Sequence, residues 1–104
     1  MASISASDIK NIIVACEAGM GSSVMVAKAL QKQLKDTGIV VSHTPVNQLG
    51  EASFDLVVCH RGLAGRARQA APGSIVIMFD MFLGDFRLAR LVADLKEGND
   101  ISGD

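Results

Sequence analysis

Apolar residues along this chain fall into two kinds of pattern. Short unbroken runs rich in β-branched residues occur at Lys10 to Cys16, Ile39 to His43, Phe54 to Cys59 and Ser74 to Met78. Such runs read as strands buried on both faces. Between and after them the period becomes helical. From Ser22 to Thr37, Ala27, Leu30 and Leu34 share one face with Val26 at its margin, and Lys28, Lys32 and Lys35 lie opposite. A shorter helix is predicted from Leu63 to Ala71, with Leu63, Ala67 and Ala70 inward. The last helix, Asp85 to Glu97, carries the stripe Leu88, Leu91, Val92 and Leu95. Gly38 ends the first helix and Pro72 stops the second, while Pro45 is expected to cut the second strand short.

This alternation of strand and helix predicts an α/β, Rossmann-like fold. Right-handed crossovers give a four-stranded parallel sheet, order 2-1-3-4, with helices on both faces. In such a sheet ligands bind beyond the carboxyl ends of the strands, where the order reverses. Here that place lies between strand one, ending at Cys16, and strand three, ending at Cys59-His60. The two segments are therefore expected to meet. Residues 10–97 are read as one domain, 1–9 as a flexible lead-in or linker, and 98–104 as a polar tail.

Composition narrows the function. With 49% hydrophobic and 20% charged residues the chain is globular. Ten basic and eleven acidic side chains give no argument for nucleic acid, and the absence of Trp and Tyr removes the usual stacking platforms. No apolar segment reaches the roughly 20 residues that span a bilayer. Two cysteines are too few for a secreted disulfide scaffold and fit a reducing, cytoplasmic setting. No metal-ligand cluster and no cofactor motif are visible.

The chemistry concentrates in Cys16-Glu17-Ala18-Gly19-Met20-Gly21-Ser22-Ser23. A thiol stands at a strand end, before a loop of small residues, at the start of a helix. Gly19 and Gly21 free the backbone to turn its N–H groups inward as a nest. The helix start adds unpaired N–H groups and the positive end of its dipole, and Ser22 and Ser23 add hydroxyls. Such a loop, a phosphatase-type phosphate loop after strand one, can cradle a phosphate and favour thiolate over thiol. Glu17 opposes this electrostatically and is expected to point outward. The competing reading is a buried small hydrophobe beside an ordinary turn.

Low-molecular-weight tyrosine phosphatases share the spacing of cysteine, five residues, then Arg and Ser or Thr. Here Ser22 occupies the Arg place, and no Asp-Pro pair supplies a leaving-group acid. A loop lacking the guanidinium fork should accept phosphate yet hydrolyse it poorly. The segment from Ile12 through Ser23 closely resembles the active loop of enzyme IIB of the bacterial sugar phosphotransferase system, in its mannitol branch. Asp55-Leu56-Val57-Val58, then Cys59-His60-Arg61-Gly62-Leu63 and Arg66-Ala67, resemble that branch's third strand and the turn after it. The similarity runs from about Lys10 to Leu95.

The resemblance implies a phosphocarrier. Cys16 would take a phosphoryl group from a phosphohistidine of enzyme IIA and pass it to a sugar, mannitol or a related hexitol, held by membrane enzyme IIC. The backbone from Ala18 to Ser23 would cradle the phosphate. The domain would be monomeric when isolated and held at the inner face of the cell membrane through IIC. The chain departs from the family at Glu17 and Gly62, where Asp is common, and at Cys59, where a hydroxyl residue is usual. The alternatives are a phosphatase-like cysteine enzyme and a IIB-like regulatory module.

Outside the loop, His60 and Arg61 either contact the phosphoryl group or its carrier, or decorate a helix start. Cys59 is expected to pack as a small apolar residue, with a possible approach to Cys16 if their strands are neighbours. His43 reads as solvated. Lys28, Lys32, Lys35, Arg66 and Arg68 read as a solvated surface that could also greet an acidic partner. Met20 is expected to be exposed by the loop, Met25 and Met78 to be core, and Met81 to offer an adaptable contact.

Overall fold

The computed structural model describes residues 3–16, 22–51, 54–71, 75–79 and 86–102. Its elements are β1 (Ser3–Ile4), β2 (Asn11–Cys16), α1 (Ser22–Gln33), β3 (Val40–Pro45), β4 (Leu56–His60), α2 (Ala64–Ala70), β5 (Val76–Phe79), α3 (Phe86–Glu97) and β6 (Ile101–Ser102). Short 3₁₀ turns lie at Ala6–Asp8, Lys35–Thr37, Val46–Glu51 and Arg61–Leu63. The four-stranded sheet has the order β3-β2-β4-β5 and every pairing in it is parallel. Counting only its own strands, this is the expected 2-1-3-4.

The continuous apolar runs are strands because both faces of the sheet are covered. One face packs Ile12, Val14, Leu56, Val58, Ile77 and Phe79 against Val26 and Leu30 of α1, Leu34 just after it, and Leu91, Val92 and Leu95 of α3. The other packs Ile13, Ala15, Val57, Cys59 and Val76 against Ala64 and Ala67 of α2 and Val46 and Leu49 of the 3₁₀ segment. Alternate residues of one strand thus serve two cores. Leu56, Val57, Val58 and Cys59 are all fully buried, so β4 is the spine of the sheet.

The observed boundaries differ from expectation for local reasons. β3 continues through Pro45, because it is an edge strand and its last residue can lack an N–H without breaking the ladder. α1 ends at Gln33 and tightens into the 3₁₀ turn Lys35–Thr37, closed by Gly38 at φ 80°. β4 starts at Leu56 because Asp55 is used otherwise: its Oδ2 accepts from the backbone N–H of Lys10 at 2.9 Å and of Asn11 at 3.0 Å. The segment Val46–Glu51 carried no visible pattern, since its two core residues, Val46 and Leu49, recur at the 3₁₀ period of three.

Three side-chain expectations are corrected. Met25 is 53% exposed rather than core, because it shares the solvent face of α1 with Lys28 and Lys32. Met78 is half-buried against the second core. On α2 the fully buried pair is Ala64 and Ala67, with Leu63 and Ala70 only packed alongside.

Segments at both sides of the 10–97 region are joined in the fold. Ser3–Ile4 pairs antiparallel with Ile101–Ser102, and Ala6, Ile9 and Ile101 are buried in the α1/α3 core. Gly98, at φ 79°, reverses the chain after α3, and Asn99 N–H donates to the Asp94 carbonyl at 2.9 Å. Among the described residues, no helix is long and apolar enough to cross a membrane.

Candidate functional site

The register of the sheet builds the site. β2 and β4 pair from Ile12↔Leu56 through Ala15↔Cys59. One step further stand Cys16 and His60, the last residues of the two strands. On its other side Cys16 pairs with Pro45, and His60 pairs with Phe79. The carboxyl edge of the sheet therefore ends in the row Pro45, Cys16, His60, Phe79. Cys16 and His60 flank the point where strand order reverses, and so the two segments singled out in the sequence do meet.

α1 begins at Ser22, and the loop before it spans residues 17–21. Glu17, Ala18, Gly19, Met20 and Gly21 lie outside the described residues, while Ser22 and Ser23 are the first two residues of the helix. α1 thus starts from the same edge as Cys16 and directs the positive end of its dipole there.

His60 caps the turn that leads into α2. Its Nδ1 accepts the N–H of Gly62 at 3.1 Å, capping the 3₁₀ turn Arg61–Leu63. Its ring meets Phe79 edge-on, with centroids 5.8 Å apart and planes at 83°. Because Nδ1 is an acceptor, the neutral ring carries its proton on Nε2. Arg61 is exposed beside it. A Cβ on Gly62 would lie 3.4 Å from His60 Nδ1, so no steric demand requires glycine here.

Cys59 packs as the small apolar residue expected. It is fully buried among Ile13, Ala15 and Ala67, and its thiol is free. Burial pushes the Cys59 thiol up to about 11, with the Arg68 guanidinium pulling weakly downward. A thiol so protonated is a poor nucleophile. His43, Lys28, Lys32, Lys35, Arg66 and Arg68 are exposed.

Sequence reasoning assigned no structural role to three residues that hold this arrangement. Phe79 fixes the His60 ring, Asp55 fixes the start of β2, and Gln31 of α1 bonds to the edge strand β3. Only Asp55 left a signal, as an acidic residue directly before a strand.

Comparison with known proteins identifies the family. The family described as "PTS system, Lactose/Cellobiose specific IIB subunit" matches residues 11–92, from the first residue of β2 into α3. The chain is similar to the mannitol-specific EIICBA component of Vibrio cholerae, 39% identical over 94 residues, which are 88% of this chain and 14% of that protein. It is similar to the mannitol-specific EIICB component of Geobacillus stearothermophilus, 37% identical over 91 residues, 86% of this chain and 19% of the relative. The EIICBA component of Buchnera aphidicola is 42% identical over 94 residues, 88% and 15% of the two chains. The chain spans less than a fifth of the length of these relatives.

Proposed function

The chain belongs to the IIB family of the sugar phosphotransferase system, in its mannitol branch, and from that membership we propose that it is a phosphocarrier working through Cys16. The Cys16 thiol loses its proton, and the thiolate attacks the phosphorus of a phosphohistidine on enzyme IIA. The S–P bond forms as the N–P bond breaks, and the imidazole leaves with the electron pair. A sugar hydroxyl held by membrane enzyme IIC then attacks the phosphocysteine. An O–P bond replaces the S–P bond, the hydroxyl gives up its proton, and the thiolate is regenerated. No water enters either step, which suits a loop with Ser22 where a phosphatase has arginine.

The observation that carries this reading is the position of Cys16: the last residue of β2, at the switch point of the sheet, ahead of the start of α1. The backbone from Ala18 to Ser23 holds the phosphoryl oxygens, and catalysis is mostly positioning and charge stabilisation. Glu17, His60 and Arg61 are auxiliary at the rim. The mannitol-specific names of the relatives support mannitol or a related hexitol as the sugar, in preference to the disaccharides in the family description. The protein works on the cytoplasmic side of the membrane, held there through IIC.

A phosphorelay tests the proposal. The protein is incubated with phosphoenolpyruvate, the general phosphotransferase proteins and enzyme IIA, and its intact mass is measured. One added phosphate is expected on the wild type and none on Cys16→Ser. A wild type that stays unmodified with its cognate IIA overturns the role. Hydrolysis of p-nitrophenyl phosphate would favour the phosphatase reading instead.

A further inference from the structure

β3 is an edge strand, and its outward backbone groups would normally invite another strand. Val40 N–H points inward, donating to the Lys10 carbonyl at 2.9 Å. By the alternation of a parallel ladder, the groups of Ile39, Val41, His43 and Pro45 point outward. Gln31 meets two of them. Its Nε2 donates to the Ile39 carbonyl at 2.9 Å, and its Oε1 accepts the Val41 N–H at 2.8 Å. A residue of a parallel neighbouring strand facing Val40 would make the same two bonds, donating to the carbonyl before Val40 and accepting from the N–H after it. The Gln31 amide therefore occupies the place of one residue of a fifth strand.

The other end of β3 is closed differently. Pro45 has no N–H to offer. Of the outward donors on β3, Val41 is taken by Gln31 and Pro45 is missing, which leaves His43. That is room for one ladder pair, whereas stable strand pairing runs over several residues. The opposite edge, β5, is only four residues long, and shortness is itself a way to blunt an edge.

We propose that Gln31 and Pro45 form an edge guard, which keeps β3 from pairing with β3 of a second copy of this chain. A second copy is the occupant the edge fits. An antiparallel pair about His43 is self-complementary under a two-fold axis, with His43, the remaining outward donor, at its centre. The guard fixes α1 to β3 as well, so the helix that opens at the cysteine edge is anchored near its far end.

The test compares wild type with Gln31→Met, which keeps length and loses both polar groups, and with the double variant Gln31→Met/Pro45→Thr, which restores an outward N–H. Amide exchange is read at Val41 and His43, and molar mass is followed by light scattering across concentration. Wild type is expected as single copies. Gln31→Met should speed Val41 exchange roughly tenfold, the worth of one lost hydrogen bond. The double variant should pass to two copies as concentration rises, with His43 newly protected. A folded double variant that stays single, or a Val41 exchange rate unchanged in Gln31→Met, overturns the proposal, as does a wild type that dimerises with His43 protected. Should the double variant fail to fold, Gln31→Met is offered a synthetic peptide of residues 39–45. Binding to the variant and not to wild type supports the guard, and binding to neither overturns it.

Discussion

Cys16 and Cys59 stand one register step apart on neighbouring strands. Cys59 belongs to the row of Ile13 and Ala15 under α2. Burial holds the Cys59 proton, pushing its thiol to about 11 from an ordinary 9.0. The folded chain therefore binds this proton more tightly than the unfolded chain does. Its contribution to stability is complete below pH 9.0 and is lost as pH rises through about 11. Urea unfolding followed from pH 8 upward should show wild type losing more stability across this window than Cys59→Ala does, since the two chains differ only at this thiol. Equal slopes would mean that Cys59 ionises as freely folded as unfolded. At pH 8 an alkylating agent should modify Cys59 far more slowly in the native state than in urea. The burial of Cys59 was legible in the sequence, because it closes the apolar run Leu56 to Val58. The exposure of Met25 was not, because residue type alone cannot say which side of a helix meets water.

At the scale of elements, the register of β2 against β4 decides whether Cys16 and His60 come level, and Asp55 sets it. One carboxylate oxygen takes two backbone N–H groups at the start of β2, and the N–H of Asp55 itself donates to the Asn11 carbonyl at 2.8 Å. Bonds to a charged acceptor are among the stronger ones, and removing the acceptor leaves two donors to find water. Asp55→Ala should cost about 2–3 kcal/mol in urea unfolding. Asp55→Asn, which keeps an acceptor oxygen without the charge, should cost less than half of that. An Asp55→Ala as stable as wild type would place the register in apolar packing alone. The order of the strands, and with it the meeting of the ends of β2 and β4, was legible, because long runs of one period survive any error in their ends. The 3₁₀ turns were not. Val46 and Leu49 are two apolar residues among polar ones, too few for a pattern, yet both are fully or almost fully buried under the second core.

Across the whole molecule, Cys16 and the paired strands β1 and β6 stand at opposite poles. α1, α2 and α3 all start from the carboxyl edge that carries Cys16, so the end of α3 returns to the amino edge. There Gly98 turns the chain into β6, and β6 closes on β1. Lys10, Gly38, Leu95 and Gly98 line one cavity of about 390 Å³ at this pole, which confirms that the start of β2, the end of α1 and the end of α3 converge. A chain continued in either direction would leave from this stem, opposite the edge that carries Cys16. The stem also belongs to the core, since Ile4 packs on it and Ile101 is only 3% exposed. Ile101→Asp would bury a carboxylate among apolar side chains and should cost about 2–4 kcal/mol in urea unfolding. Because the strained pole is a full strand length from Cys16, phosphate uptake per folded molecule in the relay should stay at the wild-type rate. A variant that keeps its stability would show the ribbon to be a passive overhang. One that folds but takes phosphate much more slowly would show that the two poles are coupled through the sheet.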